Sequence, residues 1–126
     1  METMSGEKIL IIDDEASIRA NIQRFLRLEG YVVQEAVNGF AGLASVAANP
    51  PDLIICDVMM PEMDGFTVLA KLRERTETAT IPFIFLTASV EQDDQRFGLA
   101  IGANAYLSKP FKLSELLAMV RQKLAS

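Results

Sequence analysis

Five short runs of apolar residues alternate along the chain with longer segments in which apolar positions recur at helical spacing. The short runs are rich in Ile, Leu, Val and Phe and too brief for helices, which favours buried strands. The run "KILIID" is typical, with four apolar residues between a lysine and an acid. The predicted strands cover residues 8–13, 31–36, 52–57, 81–88 and 104–109.

The segments that follow the strands predict five helices. The first covers 15–30 and stops at Gly30, the third follows Asp64 as its N-cap, and the fourth covers roughly 90–101 and stops at Gly102. Apolar residues on one side of four helices mark the faces expected to contact the core. In chain order these faces are Ile18, Ile22, Phe25 and Leu26; Phe40, Leu43, Ala44 and Ala47; Phe66, Leu69, Ala70 and Arg73; and Leu113, Leu116, Leu117, Val120 and Leu124.

Strict alternation of strands and helices with short connections is typical of a parallel sheet that is covered on both faces. The pattern therefore predicts an α/β fold with three layers, an α/β/α sandwich. No internal repeat, low-complexity stretch or linker divides the sequence. We expect residues 1–126 to form a single domain.

Composition narrows the classes of partner and compartment. The chain has 126 residues, of which 50% are hydrophobic, which suits one compact domain. A net charge of -5 argues against direct binding to nucleic acid, because phosphate backbones select basic surfaces. One cysteine, no signal-peptide pattern and no long apolar span predict a cytoplasmic protein that does not cross a membrane. The chain has no histidine, which excludes catalysis by histidine and histidine-ligated metals.

Chemically useful side chains stand at the carboxyl ends of four predicted strands. Asp13 and Asp14 end the first strand, Asp57 the third, Thr87 the fourth and Lys109 the fifth. In open parallel sheets, ligands bind beyond these strand ends. Each residue alone has a simpler interpretation, as a helix cap, a solvated acid, a strand former or a surface lysine. Their shared position favours a common site.

The chemistry of that site follows from its charge. Two carboxylates about 4 Å apart repel by roughly 4 kcal/mol at a surface-like dielectric constant, so three acids call for a cation. An all-oxygen site with few protein ligands suits Mg²⁺ better than zinc or copper. A carboxylate beside Mg²⁺ can attack phosphorus and become an aspartyl phosphate. Lys109 and Thr87 would then neutralise and hydrogen-bond the phosphoryl oxygens.

These residues resemble the receiver domains of two-component response regulators, the CheY-like group. The resemblance covers about residues 8–124 and rests on "IIDDE", "CDVMMPEMDG", "LTA" and "YLSKPF" in that order. It implies a flavodoxin-like fold with the strand order 2-1-3-4-5. It also implies a phosphorylation switch in which a partner histidine kinase or histidine phosphotransfer protein supplies the phosphoryl group. The chain fits both a stand-alone regulator and the receiver part of a longer protein with an output domain.

The resemblance implies a role for each residue of the site. Asp57 is the expected phosphoacceptor, and Asp13 and Asp14 are the acidic pair that binds Mg²⁺ together with Asp57. Met59 is expected to offer its backbone carbonyl to the metal. Lys109 is expected to pair with the phosphoryl group, and the Lys109–Pro110 peptide bond is expected to be cis.

The resemblance further implies how the signal leaves the site. Thr87 and Tyr106 are the expected switch pair, in which Tyr106 turns inward as Thr87 moves toward the phosphoryl group. A half-buried Tyr106 with its hydroxyl in water is the simpler alternative. The face of helix four, strand five and helix five is expected to contact a downstream target or output domain, and a homodimer is possible.

Two other classes of protein also use parts of this pattern. A Mg²⁺-dependent phosphatase of the haloacid dehalogenase kind usually carries a second acid two residues after its nucleophile, where this chain has Met59. A pseudo-receiver keeps the fold without phosphorylation, but all five expected site residues are present here. Turnover of a generic phosphate ester would favour the phosphatase, and absence of labelling at Asp57 would favour the pseudo-receiver.

Overall fold

The strands form where the sequence is most continuously apolar. A computed structural model describes residues 6–88 and 92–125 of the chain. The five predicted strands are all confirmed, with ends that differ by one or two residues from the prediction. They are β1 (Lys8–Ile12), β2 (Val32–Ala36), β3 (Leu53–Asp57), β4 (Phe83–Thr87) and β5 (Ala105–Ser108).

Five helices separate and follow these strands. They are α1 (Ala16–Leu28), α2 (Gly39–Ala48), α3 (Gly65–Arg73), α4 (Gln92–Ala100) and α5 (Leu113–Ala125). The predicted N-cap of α3 is confirmed, because the Asp64 side chain accepts a hydrogen bond from the Thr67 N–H at 2.8 Å. Residues 90 and 91, predicted to begin the fourth helix, lie outside the described residues. None of the described helices is both long and apolar enough to cross a membrane.

The sheet is parallel throughout, in the order β2-β1-β3-β4-β5 that the family resemblance implies. Alternate residues of each strand point to opposite faces. One face, which includes Leu10, Ile54 and Phe85, packs under α2 and α3, and the other, which includes Ile11 and Ile55, packs under α1 and α5. The predicted three-layer α/β/α sandwich is therefore confirmed.

Most of the face predicted for the second helix is wrong, although the predicted Leu43 packs against the core. Gly39, Gly42 and Val46 are its buried residues, whereas the predicted Phe40 is 55% exposed. The physical reason is close packing: a Cβ atom on Gly42 would lie 2.5 Å from the Cδ1 atom of Ile12. The helix approaches the sheet at Gly42 and the side chains of Met63 and Val68 at Gly39, and a search for large apolar side chains overlooks both positions.

The face predicted for the third helix is correct only in part. Leu69 is buried as expected, but Ala70 is exposed. The buried residues are Gly65, Val68, Leu69 and Leu72. The observed stripe has the same i, i+3, i+4, i+7 spacing as the predicted one and is displaced from it by one residue, so that only Leu69 belongs to both.

Candidate functional site

Three carboxylates meet at the carboxyl edge of the sheet because β1 and β3 are neighbours in register. Ile12 pairs with Cys56, so Asp13 and Asp57 end adjacent strands side by side. One carboxylate oxygen from each of Asp13, Asp14 and Asp57 lies within 4.8 Å of the others. Asp13 and Asp57 are only 1% and 5% exposed, and Asp14 faces solvent. The structure thus brings the three predicted acids together.

Backbone donors orient the two buried carboxylates. The Glu15 N–H donates to Oδ1 of Asp13 at 2.8 Å. The Met59 N–H donates to Oδ1 of Asp57 at 3.3 Å. The Met59 side chain is 69% exposed, so this residue faces the site through its backbone. Each of the two acids retains a second oxygen, Oδ2, for another partner.

Lys109 contacts the Oδ2 atoms of both Asp13 and Asp57. Its Nζ atom lies 3.3 Å from Oδ2 of Asp13 and 3.5 Å from Oδ2 of Asp57. A third acid, Glu15, places Oε1 3.6 Å from the same ammonium. The Lys109 N–H donates to the carbonyl oxygen of Thr87 at 2.7 Å, and the Lys109–Pro110 peptide bond is cis.

Burial and the repulsion between neighbouring carboxylates raise the pKa values of the acids in this cluster. Burial raises the pKa of Asp57 to about 6, although the Lys109 ammonium opposes the rise, and the Asp13 charge adds to it. Burial also raises the pKa of Asp13, although the hydrogen bond from the Glu15 N–H and the charge of Lys109 act to lower it. Burial alone would lower the pKa of Lys109, but the charges of Asp57 and Asp13 together raise it. A single lysine does not compensate these acids fully, so the site fits a hard divalent cation such as Mg²⁺.

Thr87 and Tyr106 lie on the two strands beyond β3. Thr87 ends β4 and is fully buried. Tyr106 pairs with Phe85 across β4 and β5, and the two ring centroids are 5.9 Å apart. The hydroxyl oxygen of Tyr106 is buried, so the alternative that places it in water is wrong. The tyrosine already points inward in this structure.

The loop after Asp57 is fixed by a close backbone approach. The Gly65 N–H donates to the carbonyl oxygen of Val58 at 2.8 Å. A Cβ atom on Gly65 would lie 2.3 Å from the carbonyl oxygen of Asp57 and 2.9 Å from the Phe85 ring. Glycine is therefore required where α3 begins, directly beside the end of β3.

Two residues of the site were missed by sequence reasoning. Glu15 pairs with Lys109, and the Nη1 atom of Arg19 donates to the carbonyl oxygen of Asp13 at 2.6 Å. Glu15 directly follows the acidic pair, and Arg19 is one helical turn further on. Their positions in sequence were the available signal, but the contact of Arg19 depends on how α1 lies on the sheet.

Similarity to known proteins agrees with the motifs. The family described as the response regulator receiver domain matches residues 9–121. The DNA-binding dual master transcriptional regulator RpaA of Synechocystis sp. is 46% identical over 114 residues, which are 90% of this chain and 47% of RpaA. The transcriptional regulatory protein PrrA of Mycobacterium tuberculosis is 39% identical over 118 residues, which are 94% of this chain and 50% of PrrA. The chain thus spans about half the length of these relatives.

Solved structures share the fold over almost the whole chain. The chemotaxis response regulator CheY4 of Vibrio cholerae has a TM-score of 0.89 at 33% identity, covering 94% of this chain and 98% of CheY4. A CheY-like receiver domain protein of Methanospirillum hungatei has a TM-score of 0.90 at 30% identity, covering 96% of this chain and 95% of that protein. The chain belongs to the response regulator receiver domain family, whose members are signalling switches rather than conventional enzymes.

Proposed function

We propose that this chain accepts a phosphoryl group on Asp57 from a histidine kinase or a histidine phosphotransfer protein and thereby controls a partner or output domain. One observation carries the proposal. The Asp57 carboxylate lies at the rim of a buried strand, within 4.8 Å of carboxylate oxygens of Asp13 and Asp14 and 3.5 Å from the Lys109 ammonium. A rigid strand end with charges of both signs around it suits a positioned nucleophile.

The transfer step uses a carboxylate oxygen of Asp57 as the nucleophile. This oxygen forms a bond to phosphorus while the bond from phosphorus to the donor nitrogen breaks, and the nitrogen keeps the electron pair. Asp13, Asp14, Asp57 and the carbonyl oxygen of Met59 would hold Mg²⁺, which when bound supplies charge neutralisation for the phosphoryl oxygens. Because this chain contains no histidine, the phosphoryl donor lies outside the residues of this chain.

Lys109 and Thr87 complete the proposed reaction site. Lys109 exchanges a carboxylate contact for the new phosphoryl oxygens, to which it offers a compact positive charge. The Thr87 hydroxyl donates a hydrogen bond to the phosphoryl group. Both residues end strands beyond β3, so neither needs a large backbone movement to reach Asp57.

The conformational signal passes through Thr87, Tyr106 and α4. Tyr106 faces inward, and its ring packs beside Phe85. Phosphorylation would stabilise this inward arrangement, so that the surface of α4, β5 and α5 differs between the two states. A shift from 1:99 to 99:1 requires about 5.5 kcal/mol of differential stabilisation. Hydrolysis of the aspartyl phosphate within the same site would reset the switch.

The partner of this surface is proposed to be a protein rather than nucleic acid. RpaA is named a DNA-binding transcriptional regulator, and the present chain spans about half of its length. The net charge of -5 favours contact with an output domain, a downstream target or a second copy of the chain over contact with DNA itself. We place this activity in the cytoplasm.

Intact-mass measurement after incubation with acetyl phosphate tests the proposal. We expect one phosphoryl adduct that requires Mg²⁺ and that is lost in Asp57→Ala. Asp52→Ala is the matched control, because Asp52 is an exposed acid just before the same strand, and this variant should be labelled like wild type. Absence of an adduct would favour a pseudo-receiver, and steady turnover of a generic phosphate ester would favour a phosphatase.

A further inference from the structure

Arg19 connects the acidic pair to the neighbouring strand. Its Nη1 atom donates to the carbonyl oxygen of Asp13 at 2.6 Å, and its Nε atom donates to Oε1 of Glu35 on β2 at 3.3 Å. The Arg19 side chain is only 14% exposed and that of Glu35 is 34% exposed, so the contact with the Asp13 carbonyl is better shielded from solvent than the contact with Glu35. One guanidinium thus joins the first turns of α1 to the end of β1 and to β2.

The carbonyl of Asp13 lies just beyond the regular hydrogen bonding of the sheet. β1 ends at Ile12, and the last contact of the ladder is the Asp13 N–H, which donates to the carbonyl oxygen of Ala36 at 3.2 Å. Arg19 donates a hydrogen bond to the carbonyl of the same residue, which is bonded to the nitrogen of Asp14. With both backbone ends held, only two side-chain torsions separate the fixed backbone from the Asp13 carboxylate.

We propose that Arg19 is a positioning residue for the metal site: it holds the backbone of Asp13 and Asp14 so that their carboxylates converge with that of Asp57. This inference rests on the proposed Mg²⁺ site. Glu35 contributes to this positioning, because its carboxylate orients the Arg19 guanidinium and offsets the charge of that group. Mutation of residues that hydrogen-bond to metal ligands and orient them commonly weakens metal binding by about 10- to 100-fold.

Removal of Arg19 would change Mg²⁺ affinity in opposite directions through loss of its charge and through loss of its positioning contacts. A guanidinium close to a cation site repels the cation, so an effect of charge alone would tighten Mg²⁺ binding when Arg19 is removed. Loss of positioning would weaken binding, because the segment from Asp13 to Asp14 would no longer be anchored at its carbonyl. The sign of the change in affinity therefore separates the two.

Arg27 provides a matched control on the same helix. It also donates from its guanidinium to a strand carbonyl, that of Val33, at 3.0 Å. This contact stabilises the packing of α1 against β2 but does not involve the acidic pair. Arg27→Ala should therefore reproduce any general destabilisation that Arg19→Ala causes, without its effect on metal affinity.

The experiment is an Mg²⁺ titration of wild type, Arg19→Ala, Arg19→Lys and Arg27→Ala, followed through the backbone amide NMR signals of Asp57 and Met59, with urea unfolding of each protein. We expect a Kd about tenfold weaker in Arg19→Ala, an intermediate value in Arg19→Lys and a value within about twofold of wild type in Arg27→Ala.

Other outcomes overturn the inference in distinguishable ways. Equal affinities in Arg19→Ala and Arg27→Ala, or tighter binding in Arg19→Ala, would reject a positioning role while leaving the proposed function intact. If Arg19→Ala does not fold, wild-type affinity in Arg19→Lys would reject the need for the two-pronged guanidinium. A wild-type protein whose Asp57 and Met59 signals do not respond to Mg²⁺ would reject both the inference and the metal site on which it rests.

Discussion

The Nζ atom of Lys109 lies 3.5 Å from Oδ2 of Asp57, although the two residues end strands that are separated by β4. The lysine therefore crosses the end of β4 to reach the carboxylate on β3. Its ammonium is shared with Asp13 at 3.3 Å. Two buried acids thus share one lysine, so the negative charge of this pair is only partly compensated.

Asp57→Asn is expected to stabilise the Mg²⁺-free protein at neutral pH. The folded protein raises the pKa of Asp57 from 3.8 to about 6, so the unfolded chain releases this proton first as the pH rises. The stability of wild type relative to the variant should thus fall between about pH 4 and pH 6 and then stay level, lower by roughly 2–3 kcal/mol. Urea unfolding in EDTA across this range measures the difference, and a difference that does not change with pH would contradict the raised pKa of Asp57.

Lys109→Gln is expected to destabilise the Mg²⁺-free protein and to raise the pKa of Asp57 further. The lysine is the nearest compensating charge, and an opposite charge at this distance lowers a carboxyl pKa by about 1 unit or more. The raised pKa of Lys109 means that its contribution is present below about pH 10 and is lost only as the pH rises through the folded value. Carbon-detected NMR titration of the Asp57 carboxyl, with urea unfolding at pH 8, tests both effects. An unchanged Asp57 pKa would contradict the proposed compensation.

Gly65→Ala is expected to destabilise the fold by about 2 kcal/mol or more and to reduce labelling of Asp57. The new methyl group would lie 2.3 Å from the Asp57 carbonyl oxygen, which is backbone and cannot rotate away. Gly98→Ala is the matched control, because its methyl group would meet only side chains, with the Phe85 ring the nearest at 3.1 Å. The helix propensity of alanine offsets that contact by about 1 kcal/mol. Thermal unfolding of both variants should separate them clearly.

Arg73→Ala is expected to cost about 2–3 kcal/mol of stability. The Arg73 guanidinium donates to the carbonyl oxygens of Gly102 and Thr78 and to Oδ1 of Asn104, at 2.9 to 3.3 Å. These contacts tie the end of α3 to the segment between α3 and β4 and to the loop that connects α4 and β5. Arg75→Ala, which changes an exposed arginine nearby, should alter stability by less than about 0.5 kcal/mol. Similar stabilities of the two variants in urea would contradict a structural role for the Arg73 contacts.

The elements and the convergence of the site could be predicted from the sequence because both depend on local pattern. Short apolar runs marked every strand, and the acids at their ends meet because parallel strands share one carboxyl edge. The strand order came from the family resemblance, since periodicity does not determine which strands pair. Asp57 and Asp13 are neighbours only because β3 lies beside β1.

Features that depend on the packing of one element on another were not predicted. The buried face of α2 consists largely of Gly39 and Gly42, whose importance lies in the space that they leave, for α3 and the loop before it at Gly39 and for the sheet at Gly42. Arg19 was missed for a related reason. An arginine on a helix is normally a solvated residue, and only the placement of α1 against β1 and β2 brings it to the Asp13 carbonyl.

Chemical trapping of the phosphorylated residue would show whether Asp57 itself receives the phosphoryl group. After labelling with acetyl phosphate and Mg²⁺, borohydride reduction converts an aspartyl phosphate to homoserine, which peptide mass spectrometry locates. We expect homoserine at position 57 alone, with no conversion when Mg²⁺ is chelated. Conversion at Asp13 or Asp14, or equal labelling in the presence of EDTA, would contradict it.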